Sequence, residues 1–394
     1  MVQRDCWLKV GVISLLVCAW LIWNFWIPDW TTPWNKYGYV DFGIFYNAGK
    51  ALIQHQNPYP RIPIYGKPEF FYPPTSLLLF GLYARFDFAF AKVLWFATYL
   101  TVFVAATLSC ILVIGDETKQ WFVLIAPLLT LVSYPFHNLM FAGQSDLLMA
   151  SLTILSLVSQ RLKHDNVSAF LLSSATLLKG PPLLLLIYFV LYRRDIKYLL
   201  RFLFSMALIV GASLAVVPIH LYWYYVVIVA PQLLISAGPF HQSIMSYLNA
   251  VNVNYLSPVI SVLGVAIFAF FAFHVGCRKA NKNILRDDAM FLMNILVYLL
   301  LGPQTSPYSY VWVILPLALF FSTLLAEEKA RLLYLALVSF AAFLLSSNNY
   351  INPYVIIWQN SNGQLPLPIN VAGNLMMTLS LIPIFVSSIR LFRQ

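Results

Sequence analysis

The sequence predicts an all-α polytopic membrane protein, with about twelve transmembrane helices and surface helices carried in a long first external loop. Three observations predict it. Of the 394 residues, 61% are hydrophobic and 10% charged, where a soluble domain carries about a quarter charged. Apolar runs long enough for a ~30 Å hydrocarbon core recur along the chain, separated by short polar punctuation. The basic residues also divide unevenly between the connections, as expected of a chain that crosses a bilayer many times. A soluble fold of this length would leave too much apolar surface in water. The 30 Phe, 23 Tyr and 11 Trp suit the hydrocarbon and headgroup layers instead.

Residues 8–27 form the first apolar run. It ends in Trp26-Ile27-Pro28-Asp29-Trp30 rather than in a small-residue cleavage site, so a retained anchor is expected. Further spans are centred near residues 102, 128, 150, 172, 187, 208, 267, 296, 318, 338 and 378, with the first near 18. With the N-terminus inside, 17 of the 24 Lys and Arg fall in the cytoplasm, the exceptions being Lys36, Lys50, Arg61, Lys67, Arg85, Lys92 and Lys179. Both termini are then expected to be cytoplasmic. The net charge of +10 follows from this topology and calls for no nucleic-acid partner. Cys6, Cys18, Cys110 and Cys277 all avoid the external segments, so no structural disulfide is expected. No internal repeat is visible, and residues 1–394 read as one membrane domain.

Six of the seven exceptional basic residues lie in one external segment, 28–90, or at its end. A loop of this length suggests structure of its own and a function. Phe42, Phe45, Tyr46, Gly49 and Ile53 recur at helical spacing behind Asp41, which predicts an amphipathic helix lying along the membrane surface. Asn57-Pro58-Tyr59-Pro60 ends it, and Tyr72-Pro73-Pro74-Thr75 starts a second helix, Ser76 to Arg85.

A second irregularity lies deeper. Between the basic loops at Arg161–His164 and Arg193–Arg194, Lys179 divides the chain into arms of about 15 and 14 residues. Each arm reaches only ~21–23 Å, short of the ~30 Å core. The turn Lys179-Gly180-Pro181-Pro182 is therefore expected within the outer part of the membrane, where a lysine must face a cavity or an anion. A phosphate would suit it; snorkelling to the interface is the bland alternative.

Acid–base chemistry on the external side must draw on Asp29, Asp41, Glu69, Asp87 and Asp146, or on His55, His137, His220 and His241. Asp41 is placed equally well as a helix N-cap and as a catalytic carboxylate, and the two roles are compatible. Asp146, after Gly143-Gln144-Ser145, opens a span as a cap or lines a cavity. The His241-Gln242-Ser243 cluster after Gly238-Pro239 reads either as an ordinary helix start or as a polar site. There is no Walker loop, dinucleotide fingerprint or His-Glu-x-x-His motif, which leaves ATP-driven transport and soluble-nucleotide chemistry without support.

These pieces together resemble glycosyltransferase family 87. The likeness rests on Asp41-Phe42-(x)3-Tyr46-x-Ala48-Gly49-x-Ala51-Leu52, then Asn57-Pro58-Tyr59 and Phe71-Tyr72-Pro73-Pro74-Thr75. It continues in order with Gly143-Gln144, Leu178-Lys179-(x)2-Pro182, Gln242-Ser243 and Ser306-Pro307. The resemblance implies a GT-C membrane enzyme of the α-mannosyltransferase kind, in the plasma (inner) membrane with its site on the external face. It implies a polyprenyl-phosphate-linked sugar as donor, a glycan or glycolipid acceptor and the lipid bilayer as partners. No cofactor is implied, and a divalent metal is left open. Asp41 matches the family's general base, with inversion at the anomeric carbon. Lys179 would compensate the leaving phosphate, and Tyr72, Gln144, Asp146, His241, Gln242 and Ser243 are candidates for holding phosphate or sugar. Many members carry a histidine shortly after the late Ser-Pro. Here Ser306-Pro307-Tyr308-Ser309-Tyr310-Val311-Trp312 has none, so His241 fills that role or the sugar or acceptor differs. A flippase of lipid-linked sugars and a surface-glycan polymerase or ligase are the competing readings.

Overall fold

The computed structural model describes residues 40–59, 70–235, 243–244, 248, 256–277, 284–302, 305–327 and 382–392. Every regular element among them is helical. The expected span centres near 18, 338 and 378 lie outside the described residues; the other nine fall inside described helices.

Helix α1 (Val40–Ile53) begins one residue before Asp41, and Asp41 and Lys50 sit in its first and last turns, where they complement the helix dipole. Its apolar face does not rest on lipid. Phe42, Phe45 and Tyr46 are buried against α2 (Ser76–Tyr83) and the start of α3 (Phe88–Cys110), with Phe45 stacked 4.6 Å from Phe80 and Phe42 5.7 Å from Trp95. The aromatic face of the expected surface helix packs on aromatic partners from α2 and α3. Gly49 permits the approach: a Cβ there would lie 2.4 Å from the Phe80 carbonyl oxygen. Asp87 caps α3, accepting from the Ala89 and Phe90 amides, both at 3.0 Å.

Beyond α3, α4 (Asp116–Val132) and the short α5 (Tyr134–Ala142) lead to Gly143, whose left-handed backbone (φ 69°) ends α5. Helices α6 (Asp146–Arg161) and α7 (Asp165–Leu178) form a hairpin, and α8 (Ile196–Ser213) packs on α7. Ser156, Ser168 and Tyr198 hydrogen-bond one another across these three helices. Between α7 and α8 the chain breaks at Lys179. A 3₁₀ turn (Pro181–Leu185) and a π turn (Ile187–Tyr192) follow, so the return arm is short and irregular, as its length requires. Two short helices, α9 (Ile219–Tyr224) and α10 (Ala230–Ile235), precede α11 (Ser257–Cys277), α12 (Ile284–Leu301), α13 (Ile314–Ala326) and α14 (Ile382–Leu391).

Four described segments are long and apolar enough to cross a membrane: Phe88–Cys110, Ile196–Ser213, Pro258–Cys277 and Tyr308–Ala326. Only 28%, 22% and 17% of the first three are buried, against 89% of the last. The first three therefore turn apolar side chains such as Phe204 and Phe270 outwards, as lipid-facing helices do, and the last runs through the centre beside α12. At the Arg161 end of α6, two partly buried ion pairs tie the bundle: Arg161–Asp288 at 2.5 Å and Arg193–Asp287 at 2.6 Å. Asp146 is at the other end of the same helix, about 23 Å away at 1.5 Å per residue.

Candidate functional site

At that other end, five of the eight residues selected from the sequence meet. Asp41 comes from α1, Tyr72 from the connector before α2, Gln144 and Asp146 from the turn into α6, and Lys179 from the broken hairpin. Gln144 donates through Nε2 to Asp41 Oδ2 (2.7 Å), and its Oε1 accepts from the Tyr72 hydroxyl (2.9 Å). The Lys179 ammonium stands 5.5 Å from the Tyr72 ring centroid and 5.6 Å from that of Tyr308, within cation–π range of both. It donates to Asp146 Oδ2 at 2.5 Å, and Asp146 Oδ1 accepts from the Trp312 indole at 2.9 Å.

The anion facing Lys179 is thus Asp146, a partner from the chain itself. Asp146 lies in the first turn of α6, one residue after the N-cap Ser145, with its side chain wholly buried. An ammonium carries three donors, and this carboxylate takes one.

The backbone explains why these pieces converge. Gly143 turns the chain sharply before Gln144, and its carbonyl accepts from the fully buried Trp95 indole (2.8 Å). The Tyr72 carbonyl accepts from the Tyr59 hydroxyl (2.9 Å). Thr75 donates to the Leu177 carbonyl (2.5 Å) in the last turn of α7, where Gly180-Pro181-Pro182 supplies few amides to the final carbonyls.

The two carboxylates differ in kind. Asp146 spends both oxygens on Lys179 and Trp312. Asp41 is only partly buried and, among the described residues, spends one, on Gln144. Burial pushes the Asp41 pKa up, an effect opposed by the Gln144 hydrogen bond and the Lys179 charge and reinforced by Asp146. Tyr72 is pushed well above its ordinary value by burial and then by the Asp146 charge, so it remains a hydrogen-bond donor.

Of the other acids and bases singled out, Asp87 is a helix cap, while Asp29, Glu69, His241 and Gln242 lie outside the described residues. Ser243 is buried. No cluster of three or more His, Cys, Asp or Glu that could hold a metal occurs among the described residues. Sequence reasoning missed Tyr308 and Trp312 as site residues. Their signal was the hydroxyl- and aromatic-rich loop joining α12 to α13, which reaches across the bundle to the start of α6.

The model of glycosyltransferase family 87 matches residues 70–307, more than half of the chain. The chain belongs to glycosyltransferase family 87. No curated protein matches it. In this family-87 chain the matched stretch contains Tyr72, Gln144, Asp146 and Lys179, while Asp41 precedes it and Tyr308 and Trp312 follow it. Those three join the site through contacts with residues inside the stretch.

Proposed function

We propose that this family-87 glycosyltransferase moves a hexose, mannose in the first instance, from a polyprenyl-phosphate-linked donor to an acceptor hydroxyl, with inversion. The site lies on the external face of a GT-C membrane body of about twelve spans in the plasma (inner) membrane, both termini cytoplasmic. The observation that carries the reading is the division of labour between the carboxylates: Asp146 has both oxygens engaged, and Asp41 has one oxygen uncommitted among the described residues.

Asp41 is the general base. It takes the proton of the acceptor hydroxyl as the acceptor oxygen attacks the anomeric carbon, and the sugar–phosphate bond breaks on the opposite side. The leaving phosphate needs no proton, but gains charge as the bond opens. Lys179 compensates that charge through the ammonium protons that Asp146 does not take. Tyr72 and Tyr308 flank the ammonium and limit the directions from which a phosphate reaches it. Ser243, with His241 and Gln242, is assigned to the donor's phosphate or sugar. No cofactor is required by this scheme, and a metal requirement is settled by assay with chelator.

The test uses purified enzyme, polyprenyl-phosphate-hexoses and a glycolipid acceptor. Asp41→Asn lowers kcat by roughly 10²–10⁴-fold while preserving the fold. Wild-type kcat falls as pH drops through the Asp41 pKa, and because burial raises that pKa the loss begins above the ordinary carboxylate range. Wild-type turnover by Asp41→Asn would remove the base assignment. Movement of donor across vesicles without sugar transfer would favour a flippase instead.

A further inference from the structure

Gln144 was selected as a residue to hold phosphate or sugar, but its polar atoms face other protein groups. It is 3% exposed. Its Oε1 accepts from the Tyr72 hydroxyl at 2.9 Å and from the Ser145 amide at 3.3 Å, and its Nε2 donates to Asp41 Oδ2 at 2.7 Å. This arrangement works only one way round. Flipping the amide would set Oε1 against a carboxylate oxygen and Nε2 against the Ser145 amide donor. The donors are themselves held: Tyr72 through its carbonyl by Tyr59, and Ser145 by the turn whose Gly143 carbonyl is fixed by Trp95. Asp41 is flanked by Phe42, which is wholly buried against Trp95. The amide and the carboxylate therefore have little freedom to reorient independently.

Resting on the reading of Asp41 as the base, we propose that Gln144 is a positioning residue. Its amide, oriented by Tyr72 and the Ser145 amide, pins Asp41 Oδ2 so that Oδ1 receives the proton of the acceptor hydroxyl. Balance is simple: the O–H bond of the acceptor breaks and an O–H bond forms at Oδ1, while the acceptor oxygen's electron pair bonds the anomeric carbon and the sugar–phosphate C–O bond breaks, its pair leaving with the phosphate. Gln144 exchanges no proton. Its N–H stabilises the charged carboxylate, and Tyr72 acts one step further back by holding Oε1.

The experiment compares Gln144→Met, Gln144→Glu, Tyr72→Phe and the double variant Tyr72→Phe/Gln144→Met, with Asp41→Asn as reference. kcat, both KM values and the pH profile of kcat are measured on folded, detergent-purified enzyme. Gln144→Met loses on the order of 10²-fold in kcat with donor KM unchanged, as misplacement of a base by about an ångström would produce. Its acidic limb moves to higher pH, because the donor that favoured the charged form is gone. Gln144→Glu keeps the shape of the side chain and moves the limb further in the same direction, since a second carboxyl opposes ionisation of the first. Tyr72→Phe gives a partial loss, and the double variant is no worse than Gln144→Met alone. An unmoved acidic limb in Gln144→Glu, or a loss confined to donor KM, overturns the proposal. Full activity in Asp41→Asn would instead overturn the base assignment on which it rests, whatever the Gln144 variants do.

Discussion

Asp146→Asn separates what the Lys179 ion pair does for stability from what Lys179 does for chemistry. In the native protein the ammonium and the carboxylate are 2.5 Å apart, with side-chain exposures of 14% and 0%. At an effective dielectric of about 20 their Coulomb attraction is roughly 6–7 kcal/mol, much of it offset by the desolvation of both groups. Removing one partner leaves the other buried and unpaired, which costs about 3–5 kcal/mol. The asparagine oxygen takes the place of only one carboxylate oxygen, so its NH2 is set against the other donor, Lys179 or Trp312, and the neutral variant does not repair the site. Asp146→Asn is therefore expected to lower the Tm in detergent by several degrees, with transfer activity falling alongside. The second step decides. In Asp146→Asn/Lys179→Met both charges are gone, and stability returns to near the wild-type value. Activity does not return, because nothing then compensates the leaving phosphate, and a deficit of about 10²–10³-fold in kcat remains. Wild-type turnover by a stable double variant would refute the role given to Lys179, and a wild-type Tm in the single variant would refute the energetic reading of the pair.

Two further outcomes follow from the same geometry. Trp312→Phe keeps an aromatic ring, though a smaller one, but removes the indole donor from Asp146, at a cost of about 1.5–3 kcal/mol for a hydrogen bond to a charged group, read as a lower Tm. Thr75→Val preserves side-chain shape but leaves the Leu177 carbonyl without this donor, destabilising by about 1–3 kcal/mol. Hydrogen exchange should then increase in the 70–75 connector before it increases in α3.

Much of the site was legible in the sequence because its constraints are local. The long loop announced itself by length and by six stray basic residues. The short hairpin followed from counting residues against bilayer thickness, and it is observed as the break at Lys179 followed by 3₁₀ and π turns. The chain's own neutralisation of Lys179 was not legible, because Asp146 lies 33 positions away and opens a helix, where an acid has an ordinary reason to be. Trp312, 166 positions from Asp146, was further still from any local signal. Helix α1 falls where its periodicity places it, but the aromatic partners that cover its apolar face were not legible. Helical periodicity reports an apolar face, not whether lipid or aromatic side chains cover it.

The loop and the hairpin, two separate irregularities along the chain, complete one another in space. A helix that ends at Gly180-Pro181-Pro182 leaves carbonyls that its own continuation cannot satisfy, and hydrocarbon offers no donors in compensation. The external loop, for its part, needs something to hold Asp41 in place. The Tyr72-Pro73-Pro74-Thr75 connector meets both needs. Thr75 donates to the Leu177 carbonyl at the end of α7, and Tyr72, three residues earlier, presents its ring to Lys179 and its hydroxyl to Gln144. The same short segment thus fixes the register between ammonium and carboxylate. Asp41 reaches Lys179 through Gln144 and Tyr72, so a shift of the connector would displace the Asp41 carboxylate relative to the Lys179 ammonium. On this reading the Pro-Pro pair matters as a spacer: it sets Thr75 and Tyr72 at a fixed separation, with little backbone freedom to lose on folding.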